Sequence, residues 1–169
     1  MSTSRYNETN AKAELWFTLL ICGDNYPIIS DLEFSGLITA LTSLKTTEVI
    51  LIIKNILKHD PNFFQYILKI IHIDYVCETN VNTIKQIIER NYRNYIKKNE
   101  TFRIELNRRK NESIDRNSFI NVIAEIVSNP VDLENPDKII RIEVLGNSCG
   151  IAFIKPSDIL KFKCKTSLS

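Results

Sequence analysis

Two hydrophobic periods run along this chain. From Ile139 to Leu145 apolar and polar positions alternate, with Ile140, Ile142 and Val144 against Arg141 and Glu143. That is the period of a β-strand with one face buried. Gly146-Asn147-Ser148 and a second run from Cys149 to Lys155 follow, predicting a β-hairpin closed by a short turn. Thr101 to Leu106 alternates in the same way, with Phe102, Ile104 and Leu106 inward and Arg103 and Glu105 outward. Between residues 80 and 98 the period becomes helical: Ile84, Ile87, Ile88, Tyr92, Tyr95 and Ile96 form one stripe, and Thr79 or Asn80 caps its start. Ser113 or Asp115 opens another helix, which turns Phe119, Ile120, Ile123 and Val127 inward and stops at Asn129-Pro130. Pro156 to Phe162 reads as a last short helix.

The first eighty residues are less regular. Met1 to Asn10 is polar and reads as a frayed end. Glu14 to Cys22 is almost continuously apolar and is ended by Gly23-Asp24-Asn25, a pattern that predicts a buried strand. Tyr26 to Glu33, with Pro27, reads as loop, and Phe34 to Thr42 as a strand with helix left open. Thr46 to Lys58 places Val49, Ile50, Ile53, Ile56 and Leu57 on one helical face before Asp60-Pro61. Gln65 to Glu78 reads as a strand, with Ile71, Ile73, Tyr75 and Cys77 on one side and His72, Asp74 and Val76 on the other.

The wording before the hairpin is more specific than its period. Asp132, Leu133, Asn135, Pro136 and Asp137 precede Ile142-Glu143-Val144 and then Cys149-Gly150-Ile151. This ordered run resembles the signature end of the THUMP domain, an RNA-binding module of tRNA- and rRNA-modifying proteins. The order from residue 80 of helix, strand, helix, strand, strand matches that family. The likeness extends from Thr101-Phe102-Arg103 through Arg108-Arg109-Lys110 to Ser113 and Arg116. Upstream, Pro61, Phe64, Tyr66, Leu68, Lys69, Ile70, Ile71 and Thr79 resemble the segment preceding THUMP in the adaptors of tRNA cytidine acetylation, with Lys69 in place of arginine and His72 in place of proline. The resemblance implies an α+β chain: a disordered tail over 1–12, a ferredoxin-like domain over 13–78, a THUMP domain with a central mixed sheet over 79–162, and a basic tail over 163–169.

Charge adds a location. The net charge is only +2, so bulk electrostatics does not announce a nucleic-acid binder. Residues 1–80 hold 6 Lys/Arg against 9 Asp/Glu, residues 81–120 hold 10 against 5, and residues 121–169 hold 6 against 6. A phosphate-binding face requires such local concentration, although a solvated helix face also produces it. Glu89 and Arg93, four residues apart, would pair in that way. The candidate RNA-binding residues are Arg103, Arg108, Arg109, Lys110, Arg116, Arg141 and Lys155. For Arg141 a cross-strand pair with Glu105 is the competing role. For the set as a whole, the helix face from Arg90 to Lys98 is the competing location.

Catalytic chemistry has little to stand on. His59 and His72 have no Cys or carboxylate neighbours at ligand spacing, and Cys22, Cys77, Cys149 and Cys164 form no C-x-x-C pair. Cys149 reads as a packed thiol. Four glycines in the whole chain leave no phosphate-cradling loop. The longest apolar run, Val49 to Ile53, is far too short for a membrane span. About nine residues follow Leu160, against on the order of 100 for an attached catalytic domain. The expectation is therefore a cytoplasmic chain that is not itself an enzyme, with no catalytic residues, cofactor, metal or small-molecule substrate. The resemblance implies two partners, tRNA and a GNAT-type RNA cytidine acetyltransferase that forms N4-acetylcytidine in the D-arm of tRNAs for Ser and Leu. Two alternatives stay open: an RNA-binding subunit of another tRNA-modifying enzyme (thiolation, methylation or pseudouridylation), and a protein scaffold without RNA contact.

Overall fold

The chain divides into two units, each with its own hydrophobic core. The computed structural model describes residues 1–111 and 114–162. The first unit comprises Met1–His72 with the described stretch from Ile159, and the second Ile73–Asp158. Ser113 as a helix cap, Cys164, and the basic tail with Lys163 and Lys165 lie outside the described residues.

The first unit runs β1 (Ser2–Thr3), α1 (Glu8–Ile21), β2 (Ile28–Asp31), β3 (Ile38–Leu41), α2 (Thr46–His59) and β4 (Ile67–Ile70). β2 pairs antiparallel with β3, β1 pairs antiparallel with β4, and a Ser2–Leu37 bridge carries β1 onto the start of β3. Strand–helix–strand–strand–helix–strand with the spatial order β2-β3-β1-β4 is the ferredoxin-like arrangement.

Here the structure corrects three expectations. Glu14 to Cys22 belongs to a helix, not a strand. Ala11, Leu15, Thr18, Leu19 and Cys22 are buried at helical spacing, while Trp16 and Phe17 are 48% and 54% exposed. The apolar run is continuous because an exposed apolar face lies beside the buried one. Gly23 ends α1 at φ +97. Its N–H donates to Leu20 O at 2.9 Å, and that of Asp24 to Leu19 O at 3.0 Å, the paired bonds of a Schellman C-terminus. Residues 1–12 are not a tail: they supply β1 and the first turn of α1, and the terminal amino group donates to Ile38 O at 2.9 Å. Finally, Tyr26 to Glu33 contains β2, which begins one residue after Pro27, where the proline leaves no ladder hydrogen bond unmade.

The second unit runs β5 (Tyr75–Glu78), α3 (Val81–Tyr95), β6 (Phe102–Arg109), α4 (Arg116–Ala124), β7 (Lys138–Leu145) and β8 (Ser148–Ile154). The sheet order is β5-β8-β7-β6, with β6 and β7 parallel and the other neighbours antiparallel. Register is continuous, from Phe102 opposite Lys138 to Arg109 opposite Leu145. Ile140, Ile142 and Val144 of β7 meet Ile84, Ile88 and Tyr92 of α3 and Phe119 and Ile123 of α4 in one core with Phe102 and Leu106. Asn80 caps α3 by accepting from the Asn82 and Thr83 N–H groups at 2.9 and 3.2 Å. Gly146 opens the two-residue hairpin loop at φ +59, as a type II′ connection places it.

The boundaries also shift. The run from Gln65 to Glu78 splits into β4 and β5, which belong to different units, so the division falls after residue 72 and not at 78. Pro156–Asp158 is a single 3-10 turn, not the start of a helix. The chain then returns to the first unit, where β9 (Leu160–Lys161) pairs antiparallel with β4. Among the described residues no helix is long and apolar enough to cross a membrane.

Candidate nucleic-acid interface

The loop bearing Asn135-Pro136-Asp137 is knitted to the first residues of β6. Asp132 accepts from the Glu134 and Asn135 N–H groups, both at 2.9 Å, and its own N–H donates to Phe102 O at 3.0 Å. The Asp137 carboxylate accepts from the Thr101 N–H at 2.8 Å and the Thr101 hydroxyl at 3.1 Å. These bonds stabilise the charged form, so the carboxyl is held below its usual range. Asp132 and Asp137 of the signature run therefore fix the entry of β6 and β7.

Parallel β6 and β7 with α3 and α4 antiparallel to them give the sheet two distinct ends. Arg108 and Arg109 close β6, and Lys110 follows at φ +50, a left-handed turn uncommon for a lysine. Arg116, at the first position of α4, is brought to the same end, where its Nη1 donates to Leu106 O at 2.7 Å. Arg108 donates to Ile114 O. Both arginines thus brace the loop between β6 and α4 through neutral carbonyls, which do not cancel their charge. All four of these side chains are exposed.

The expected help from the α4 N-terminus changes. Free N–H groups there attract phosphate, but Asp115 already accepts from the Ser118 N–H at 2.8 Å. That bond, before the smaller effect of Arg108, holds the Asp115 carboxyl below its usual range.

The other three candidates lie elsewhere. Arg103 stands opposite Ile139, which stands opposite Ile154, so Arg103 and Lys155 mark the opposite end of the sheet from Arg109. At about 3.3 Å per residue the length of β6 separates the two ends by roughly 20 Å. Arg103 donates to Glu105 at 2.6 Å and to Leu133 O at 3.1 Å. Arg141 is 6% exposed, in place of the outward phosphate ligand expected. Its guanidinium meets Glu143 at 2.6 Å and also Glu105. Arg103, Glu105, Arg141 and Glu143 form a neutral zigzag across β6 and β7, so Arg141 holds the sheet. Lys155 is exposed just beyond β8.

The face of α3 supplies a feature that periodicity did not reveal. A groove of about 560 Å³ opens beside its C-terminal turn, lined by Tyr92, Arg93, Lys97, Lys98, Ser128 and Asn129 among others. Arg93 lies over the Tyr92 ring at 5.0 Å, an arrangement that takes the place of the expected Glu89 pairing. The only hint in the sequence was the run of cations on that helix.

The thiols are packed. Cys77 stands opposite Cys149 across β5 and β8, and burial pushes the Cys149 thiol up to about 12. His72 is buried and His59 exposed. Among the described residues no group of His, Cys, Asp and Glu is placed to hold a metal.

No curated protein matches the chain. Among solved structures it is similar to PH1313 from Pyrococcus horikoshii Ot3, at 19% identity and a TM-score of 0.70 over 93% of this chain and 51% of that one. It is also similar to TrmN from Thermus thermophilus, at 12% identity and a TM-score of 0.58 over 90% of this chain and 43% of that one. At these identities the likeness is one of fold, and the chain spans about half the length of PH1313. The THUMP domain of THUMP domain-containing protein 1, in a solution structure, matches at 28% identity and a TM-score of 0.40 over 46% of this chain and 88% of that one. The family model of the THUMP domain matches residues 78–153. That span runs from the last residue of β5 to within a residue of the end of β8, and with the α+β sheet described above it identifies residues 78–153 as a THUMP domain.

Proposed function

We propose that this chain binds tRNA through its THUMP domain and presents it to a separate modifying enzyme, a GNAT-type RNA cytidine acetyltransferase. The chain itself is not catalytic in this reading. The acetyltransferase uses acetyl-CoA and ATP, and the product is N4-acetylcytidine in the D-arm of tRNAs for Ser and Leu. The observation that carries RNA binding is the THUMP match over residues 78–153, together with the exposed cations gathered at one end of its sheet. The likeness of Pro61 to Thr79 to acetylation adaptors supports the choice of partner.

Arg108, Arg109, Lys110 and Arg116 make the first contact with RNA. A-form RNA hides its base edges in a deep narrow groove, so shape, 2′-hydroxyl and phosphate contacts dominate. Cations on a rigid strand end fix the register of the backbone without reading its sequence. The ion-paired zigzag of Arg103, Glu105, Arg141 and Glu143 ties β6 to β7 along the strand that leads to that end.

The test is reconstitution. The chain, an acetyltransferase that co-purifies with it, tRNA, acetyl-CoA and ATP together yield N4-acetylcytidine, and omission of the chain abolishes the product. A modifying enzyme of another class in the co-purified fraction would replace the acetyltransferase in this reading.

A further inference from the structure

We infer that the groove at the C-terminal end of α3 is a second RNA-phosphate site, distinct from the basic end of β6. The inference rests on the RNA-binding reading above and adds a location to it.

The groove is built. Asn129 Nδ2 donates to Lys97 O at 2.7 Å and to Glu100 O at 2.9 Å. These bonds pin the link from α3 to β6 against the segment that follows α4. The Tyr92 hydroxyl meets Ser128 Oγ at 3.2 Å and closes the floor. The walls are therefore held before any ligand arrives, which lowers the ordering cost of binding.

Its charge is one-sided. Arg93, Lys97 and Lys98 are exposed, and among the described residues no carboxylate forms an ion pair with any of them. Glu100 is the nearby acid, and its carboxylate accepts from the Lys97 N–H at 2.7 Å. The negative end of the α3 dipole favours a cation here, but it does not call for three beside a preformed groove. Three cations around one acid suit a polyanion, and a volume of about 560 Å³ admits a phosphodiester with its sugar.

Position selects the class of ligand. α3 runs antiparallel to β6, so its C-terminus lies at the start of that strand, with Lys155 at the same end of the sheet. Roughly 20 Å then separates this groove from Arg109, at about 3.3 Å per residue of strand. A mononucleotide cannot reach both sites, whereas a folded RNA can.

The experiment is a titration of tRNA binding by the whole chain at several salt concentrations. It compares the wild type, the triple variant Arg93→Gln, Lys97→Gln and Lys98→Gln, and the quadruple variant Arg108→Ala, Arg109→Ala, Lys110→Ala and Arg116→Ala. A mononucleotide serves as a control ligand. Glutamine removes the charge but keeps part of each side-chain stem, and a melting curve checks each fold. Each phosphate that a variant no longer neutralises lowers the slope of log affinity against log salt by about 0.7 to 0.9. The triple variant is expected to lose about two units of slope and on the order of 100-fold in affinity near physiological salt, beside a separate loss in the quadruple variant. Should the triple variant melt, Lys97→Gln with Lys98→Gln, which leaves Arg93 on Tyr92, carries the same test with about one unit of slope at stake. A folded variant with unchanged affinity and slope, while the wild type still binds tRNA, overturns the groove. A wild type that fails to bind tRNA overturns the RNA-binding reading itself.

Discussion

Arg141 stands directly opposite Glu105 in the parallel pairing of β6 and β7, and the two side chains form an ion pair with the arginine almost fully buried. Glu143 holds the same guanidinium at 2.6 Å. Two carboxylates on one buried arginine explain how a charged residue sits within an isoleucine-rich strand. Arg141→Ala leaves Glu143 without its cation and Glu105 with Arg103 alone. Because each of them keeps some solvent access, the loss is expected near the lower end of the range for breaking a buried pair, about 3 kcal/mol. Urea unfolding of the variant and the wild type measures it. Arg141→Ala at wild-type stability would show that the pair contributes little.

Arg108 and Arg116 carry a mixed expectation. Each donates to a main-chain carbonyl, Ile114 O or Leu106 O, so each braces the loop after β6 as well as presenting charge. Alanine at either position is expected to cost about 1 kcal/mol of stability and to lower tRNA affinity. Arg109→Ala is expected to lower affinity as well. A melting curve beside each binding curve separates the two effects.

Much of the second unit was legible in the sequence. The alternation in β6 and β7, the Asn80 cap, the apolar stripe of α3 and the glycine of the hairpin loop each act through local geometry, which a sequence carries directly. The placement of the cations was less legible. Period two put Arg141 on the face away from the main core, but no local rule tells which face of a central strand is covered. Nothing local separates Arg103 and Lys155 from Arg108 to Lys110; only strand pairing shows that they mark opposite ends of the sheet. The first unit misled where α1 carries a second apolar face through Trp16 and Phe17, which erased its helical period. Gly23 at the end of that run was a usable helix-stop signal. The groove beside α3 was not legible, because Ser128 and Asn129 reach it only through the fold.

Acid should destabilise the fold through the carboxylates that accept main-chain N–H groups. The Asp137 carboxyl is held low chiefly by the Thr101 N–H, and that of Asp115 by the Ser118 N–H. A folded-state value below the unfolded one, about 3.9 for Asp, gives stability that is fully present above the unfolded value. That stability is lost as pH falls through the folded value. Melting temperature is thus expected to be level from neutral pH to about pH 5 and to fall below about pH 4. Asp137→Asn is expected to melt lower at neutral pH and to show a shallower acid limb. An acid limb identical to the wild type would remove Asp137 from this account.

Asn129 offers a stability test at the groove. Its side-chain amide holds the carbonyls of Lys97 and Glu100. Asn129→Ala is expected to cost about 1 to 2 kcal/mol, since two carbonyls lose a donor, and to weaken tRNA binding by loosening the groove. Asn129→Asp offers oxygens where donors are needed and is expected to be at least as damaging. Thermal unfolding of both variants checks the order.

The central claim is that the exposed cations of this THUMP domain hold RNA by its phosphates. The most direct measurement is the salt dependence of tRNA binding by the wild type and by the quadruple variant Arg108→Ala, Arg109→Ala, Lys110→Ala and Arg116→Ala. The account predicts affinity that falls steeply with salt in the wild type. In the folded variant it predicts a slope lower by about 0.7 to 0.9 for each phosphate left without its cation, with a similar drop in affinity for every tRNA tested. A folded variant with the wild-type slope would contradict it at the β6 end, and a wild type whose tRNA affinity is independent of salt would contradict it altogether.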